Sequence, residues 1–296
     1  MSFQTFNTSS VNALLTQIRT RVEAAGWTTL RDAVVDSERE MILRSPAGAH
    51  VGLRSETAAD GSYKNLQLQG YRSSYEPDAS FHGQFGAIQH NGSTALCPAL
   101  PLQNLPLTVW LAISDRRLLI VVKISSVYVA AHLGYMLPFA SDTDYPEPLL
   151  IGGSITGGAK LWSGTTDSQN VFLFGRGGVV PGLPRVLLPN GNWQSINFSG
   201  NASTNLAAIF PFNGGLEQLG RSFDDSHTMF QALVVSGLPG AEAQAWEGEW
   251  LGYIEGVFGT DSEAVTSESQ FTLLDRTFIM FPNVFRNSNF FVLEVA

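Results

Sequence analysis

The chain has 296 residues, of which 44% are hydrophobic and only 15% charged, so it can bury a sizeable core and is not a disordered polypeptide. Seventeen Lys and Arg against 26 Asp and Glu leave a net charge of −9, which argues against wrapping nucleic acid, because neutralising its phosphates needs clustered Lys and Arg. The 29 glycines and 14 prolines set many turns and point to a β-rich chain, built as one large or two smaller domains.

In chain order, the first expected element is a helix. Ser9 and Ser10 offer N-caps, the apolar residues Val11, Leu14, Leu15, Ile18, Val22 and Ala25 recur at helical spacing, and Gly26 supplies the stop. Its single apolar stripe requires a docking surface, most simply the sheet that follows. Short β-type runs over 28–35, 39–44, 50–56 and 62–69 read as an antiparallel meander, with Asp60-Gly61 as a hairpin turn. Residues 73–105 lose periodicity and read as a long loop of the kind that contacts a partner.

After Pro106 a hairpin is expected, 107–113 and 118–127 joined at Ser114-Asp115-Arg116-Arg117. Its nearly unbroken apolar run implies strands covered on both faces. Residues 128–158, with Tyr128, Tyr135, Tyr145, Pro138, Pro146 and Pro148, read as an extended arm. Short strands are expected over 160–240, anchored by Trp162, Trp193 and Phe212. Further strands at 271–273, 278–281 and 290–295 close the chain. The expected fold is therefore α+β and predominantly β: an N-terminal helix packed on an antiparallel meander, then a β-sandwich or barrel-like region. The expected units are 1–105 and 106–296.

No residue pattern forms a catalytic signature. The longest strongly apolar stretch, 118–122, is far short of the ~20 residues a membrane-spanning helix needs. The first residues lack the basic and apolar segments of a secretory signal. The lone cysteine, Cys97, reads as a small buried hydrophobe, which fits a reducing compartment. Asp142, Asp144 and Glu147 supply too few oxygens for a calcium loop. Asp224, Asp225 and His227 lack metal-ligand spacing. The glycine-rich stretches 152–158 and 175–178 have no Lys-Ser/Thr to close a phosphate loop, and Ser154 lacks a nucleophile-elbow pattern. Catalytic, cofactor-binding and metal residues are all expected to be none. The 14 arginines against three lysines (Lys64, Lys123, Lys160) favour protein interfaces.

Two stretches carry a resemblance: 24–32 (Ala-Ala-Gly-Trp-Thr-Thr-Leu-Arg-Asp), and 116–154, including Leu133-Gly134-Tyr135-Met136-Leu137-Pro138, Tyr145-Pro146-Glu147-Pro148 and Gly152-Gly153-Ser154. Together they resemble tailed-bacteriophage virion structural proteins of the kind found in myophages and prophages of Pseudomonas. The resemblance implies a non-enzymatic subunit, made in the host cytoplasm and carried in the virion. Such a subunit assembles as a ring at the neck, collar or baseplate through copies of itself and other tail proteins, without cofactors. Arg116, Arg117, Tyr128, Tyr135 and Tyr145 are the interface residues expected on this reading. A carbohydrate-binding or adhesin module, using Trp162, Trp193, Trp246 and Trp250, is the alternative. A hydrolase would need paired acids, for which only Glu247, Glu249 and Asp275 offer themselves.

Overall fold

A computed structural model of the protein describes residues 1–88, 97–103, 105–156, 184–196, 206–212, 228–237, 248–261, 266–285 and 289–295, together with Trp162, Gly164, Thr165 and Phe172. Among the described residues the elements run β1 (Ser2–Thr8), α1 (Val11–Ala24), β2 (Thr28–Val35), β3 (Glu38–Arg44), β4 (His50–Thr57), β5 (Lys64–Tyr71), β6 (Pro98–Pro101) and β7 (Leu107–Ile113). They continue with β8 (Arg117–Ile124), β9 (Val127–Tyr135), β10 (Leu137–Pro138), β11 (Leu149–Gly152), β12 (Ile155–Thr156), β13 (Arg185–Leu187) and β14 (Trp193–Ile196). The last are β15 (Leu206–Phe210), β16 (Phe230–Gly237), β17 (Gly248–Asp261), β18 (Gln270–Leu273), β19 (Arg276–Pro282) and β20 (Asn289–Glu294). The chain is thus predominantly β, with one helix among the described residues.

The helix forms where its local signals place it. Ser10 Oγ accepts from the Ala13 N–H at 3.1 Å, satisfying one of the orphan donors of the first turn. Gly26 takes a φ of 88°, and the Trp27 N–H returns to the Val22 carbonyl at 2.9 Å, closing the C-terminus. The stripe Val11, Leu14, Leu15, Ile18 and Val22 is buried in one cluster with Met41, Leu43, Val51, Leu53, Leu66 and Leu68.

Strands β2, β3, β4 and β5 pair antiparallel in sequence, and β6 and β12 extend them into a six-stranded sheet of order β12-β6-β5-β4-β3-β2. A larger sheet takes the order β1-β7-β8-β9-β11-β13-β14-β15-β16-β17-β20-β19-β18, with β10 pairing on β17. Its ladders are antiparallel except for β14 with β15. β1 has no counterpart in the sequence reading. Ser2–Thr8 is stitched to β7 along its whole length, Ser2 opposite Ile113 and Thr8 opposite Leu107.

Strands β7, β8 and β9 form a wall between two cores. Val109, Leu111, Leu118, Ile120, Val122, Val129 and Leu133 face the helix and the smaller sheet. The alternate residues Trp110, Ala112, Leu119, Val121, Tyr128 and Ala130 face Val234, Ile254, Val257, Phe281 and Phe291 from the C-terminal strands. The Phe281 ring lies 5.1 Å from Trp110 and 5.5 Å from Tyr128, centroid to centroid. This is why the sequence here is apolar without alternation: both sides of each strand lose water. The first core draws residues from Val11 to Leu187 and so spans the expected boundary at 105/106.

Three expectations need correction. The apolar run 118–127 is not one strand, because the chain turns at Ser125 (φ 57°) and Ser126 before β9. Ser125-Ser126 is the turn, a weaker signal than glycine, asparagine, aspartate or proline and easily passed over inside an apolar run. The start of the supposed Tyr/Pro arm, 128–135, is β9, buried along its entire length and paired on both sides. Gly134 in this strand, with a φ of 131°, sits opposite Arg117, where a Cβ would run into the backbone of Arg116 and Arg117. The supposed loop 73–105 contains β6. Its first part does not project but folds back over the outer face of the smaller sheet, while 89–96 and 104 lie outside the described residues.

Candidate functional site

Of the five residues expected at an interface, four are interior. Arg117, 1% exposed, opens β8; its Nη1 donates to the Ala112 carbonyl at 3.2 Å and its Nε lies 3.8 Å from Glu255. Glu255 is in turn held by the Ser114 hydroxyl at 2.9 Å. Burial pushes the guanidinium pKa down to about 10, against the opposing pull of Glu255 and Glu294. Tyr128 donates to Glu268 at 2.5 Å beside the Lys123–Glu268 ion pair, and its ring packs in the second core. Tyr135 is buried in the first core. Tyr145 donates its hydroxyl to the Leu187 carbonyl. The sequence reading took these tyrosines for exposed contact residues, but their rings fill the core and two of the hydroxyls find internal acceptors. Only Arg116, half-buried in the β7–β8 turn, stays near solvent.

The remaining candidates disperse in the same way. Glu147 is bound by Arg72 Nε at 3.1 Å and the Ser73 N–H at 2.7 Å, and Asp144 by the Ser141 hydroxyl at 2.7 Å, so each is tied to its own partner. Ser154 is buried; it donates to the Ala130 carbonyl and accepts from the Ala130 N–H. At Gly153 a Cβ would meet the Ala99 backbone at 2.6 Å, so this glycine permits a close approach of chains. Cys97 is fully buried, and burial pushes its thiol up to about 12, which favours the neutral thiol over the thiolate. Among the described residues no group of three or more His, Cys, Asp and Glu is placed to hold a metal ion. The stretches 175–178 and 224–227 lie outside the described residues.

Two of the described histidines, His132 and His82, serve the fold. His132 is fully buried, with Nδ1 2.9 Å from the Leu150 carbonyl, and desolvation, aided by the nearby Arg117 charge, drives its pKa down to about 3. His82 reaches from the 72–88 segment to Gln69 at 3.3 Å and Gln67 at 3.1 Å, and burial, with the charge of Arg54, takes it down to about 4. It belongs to a polar network that the sequence reading missed. Arg31 donates to the carbonyls of Pro77 and Ala79, Tyr71 to that of Phe81, and Trp193 Nε1 to that of Gly86 at 2.8 Å. These bonds hold 72–88 against the smaller sheet. They link residues far apart in sequence, so no local motif announces them.

What remains is surface. A polar cavity of about 230 Å³ opens at the start of α1, lined by Ser10, Asn12, Glu38, Ser55 and Lys64. Two hairpin tips carry exposed aliphatic residues: Val34 (69% exposed) with Val35 before the Asp36-Ser37 turn, and Leu273 with Leu274 (86% exposed) before Asp275. Leu274 and Asp275 both take positive φ, 50° and 60°. Trp250 and Phe139 are each 56% exposed, and Phe139 lies 5.9 Å from the Tyr253 ring. Trp162 and Trp193 pack against the first core instead, and Trp246 and Glu247 lie outside the described residues. Glu249 and Asp275 are exposed on separate elements, one in β17 and one in the β18–β19 turn. No helix among the described residues is long and apolar enough to cross a membrane. No family model and no curated protein matches the chain.

Proposed function

We propose that the protein is a non-enzymatic structural component of a tailed-bacteriophage virion. It assembles as a ring at the neck, collar or baseplate through contacts with its own copies and with other tail proteins. The observation that carries this reading is the pair of aliphatic hairpin tips, at Val34-Val35 and at Leu273-Leu274. A leucine held at positive φ and left in water costs stability in the isolated chain, and covering it with a partner recovers the hydrophobic term. On this reading the helix packs on the meander, and a sandwich follows in which β7–β9 face β19 and β20 across Trp110 and Phe281. Two packed layers of this kind make a stiff body for a ring subunit. Immunogold labelling of purified virions, with mass spectrometry of the same particles, tests the reading; absence of the chain from particles defeats it.

A carbohydrate-binding or adhesin module is the second reading, favoured by the exposed Trp250 with Phe139 and Tyr253. Glycan binding that disappears in Trp250→Ala, with the circular dichroism spectrum unchanged, would establish it. The same loss is not expected for Trp193→Ala, whose indole is committed to Gly86.

A further inference from the structure

Among the described residues the larger sheet ends in two strands, β1 and β18, each hydrogen-bonded on one side only: β1 to β7 and β18 to β19. Besides those ladders, no backbone bond links Ser2–Thr8 or Gln270–Leu273 to any other described segment. Monomeric β proteins blunt such edges with charge, proline, bulges or very short strands. The smaller sheet does so at both ends. Its edge strand β2 contains Arg31 and Asp32 and a bulge between Thr29 and Arg31, and the opposite edge, β12, is two residues long. The larger sheet uses neither charge nor proline at its ends: Ser-Phe-Gln-Thr-Phe-Asn-Thr holds none over seven residues, and Gln-Phe-Thr-Leu, though only four residues long, holds none either.

We infer that β18 of one copy pairs with β1 of a second copy of this chain, continuing the larger sheet from subunit to subunit. The chain itself supplies the partner: each copy carries both bare edges, so a second copy offers every unpaired strand another unpaired strand. Neither β1 nor β18 contains a carboxylate of its own that would add to the repulsion between copies with a net charge of −9, and Asp275 lies just outside, in the β18–β19 turn. Two different edges on one chain make a head-to-tail contact, which closes into a ring when the rotation permits. Edge-strand pairing supplies the backbone bonds, and the Leu273-Leu274 tip adds apolar area beside them. The inference rests on the ring reading above and names the elements that would form it.

The test uses the full chain and two variants, Thr5→Lys in β1 and Thr272→Lys in β18, both at exposed positions. Mass photometry over a concentration series should show wild-type oligomers. Each variant alone should need about tenfold more protein, equivalent to about 1.4 kcal/mol, with an unchanged melting temperature. Mixing the two variants should restore pairs but nothing larger, because each mixed pair keeps one good β1 and one good β18. If Thr5→Lys alone still associates as wild type, the contact does not use β1 and the inference is overturned. Hydrogen exchange on the wild-type assembly gives a readout independent of mutation: residues 2–8 and 270–273 gain protection, and protection confined elsewhere overturns the inference. A chain that stays monomeric yet is present in virions overturns the edge pairing while leaving the virion reading intact.

Discussion

Arg117 shows how one residue can be legible in type and illegible in role. Next to Asp115 and Arg116 it reads as the charged tip of a hairpin, yet it is the first residue of β8 and lies inside, because Glu255, more than a hundred positions later, meets it there. Breaking a buried charge pair costs more than replacing the charge by apolar volume. We therefore expect Arg117→Ala to lower unfolding free energy by about 3 kcal/mol, and Arg117→Met to cost clearly less, as read from urea denaturation midpoints. The histidines give a pH signature. In the folded state His132 and His82 hold their pKa values near 3 and 4, below the unfolded value near 6.5. The unfolded chain therefore binds more protons as pH falls. The stabilisation is complete above about pH 6.5 and is lost progressively toward pH 3, with a slope of up to about 1.4 kcal/mol per pH unit for each histidine. His82→Gln should flatten the upper part of that loss, down to about pH 4, in thermal melts taken across the range.

At the scale of elements, the helix and most strand runs were readable because their signals are local: caps, turns and the spacing of apolar residues. β1 was not, since its partner is a strand a hundred residues away and its own sequence is polar and unremarkable in pattern. Nor was the fold-back of 72–88, whose anchors Arg31, Gln67, Gln69 and Trp193 are spread along the chain. The candidate contact surfaces were barely legible for the same reason: exposure at Leu274 depends on the hairpin geometry, not on the residue. That hairpin makes a sharp prediction. Leu274→Gly should relieve about 1 kcal/mol of left-handed strain and raise the melting temperature of the monomer, while weakening self-association. A variant that loses stability, or that assembles as readily as wild type, would separate the tip from the contact.

For the molecule as a whole, the net charge of −9 sets how assembly responds to ions. Contacts made through uncharged edges are opposed by like-charge repulsion between bodies, and salt screens that repulsion within about 10 Å at 0.1 M. Association should therefore strengthen as sodium chloride rises from about 0.01 to 0.1 M, seen as a fall in the midpoint of the mass-photometry series. Weakening over that range would mean that ion pairs, not strand edges, hold the copies together.

The wall of β7, β8 and β9 has a further consequence. A strand greasy on one side and wet on the other is told by water which way to sit, but a strand greasy on both sides can slide by one position with little protest from solvent. Shape must do the indexing instead. Gly134 is the notch: only there, opposite Arg117, can the neighbouring backbone at Arg116 come so close, and any slipped alignment would bring a side chain to that spot.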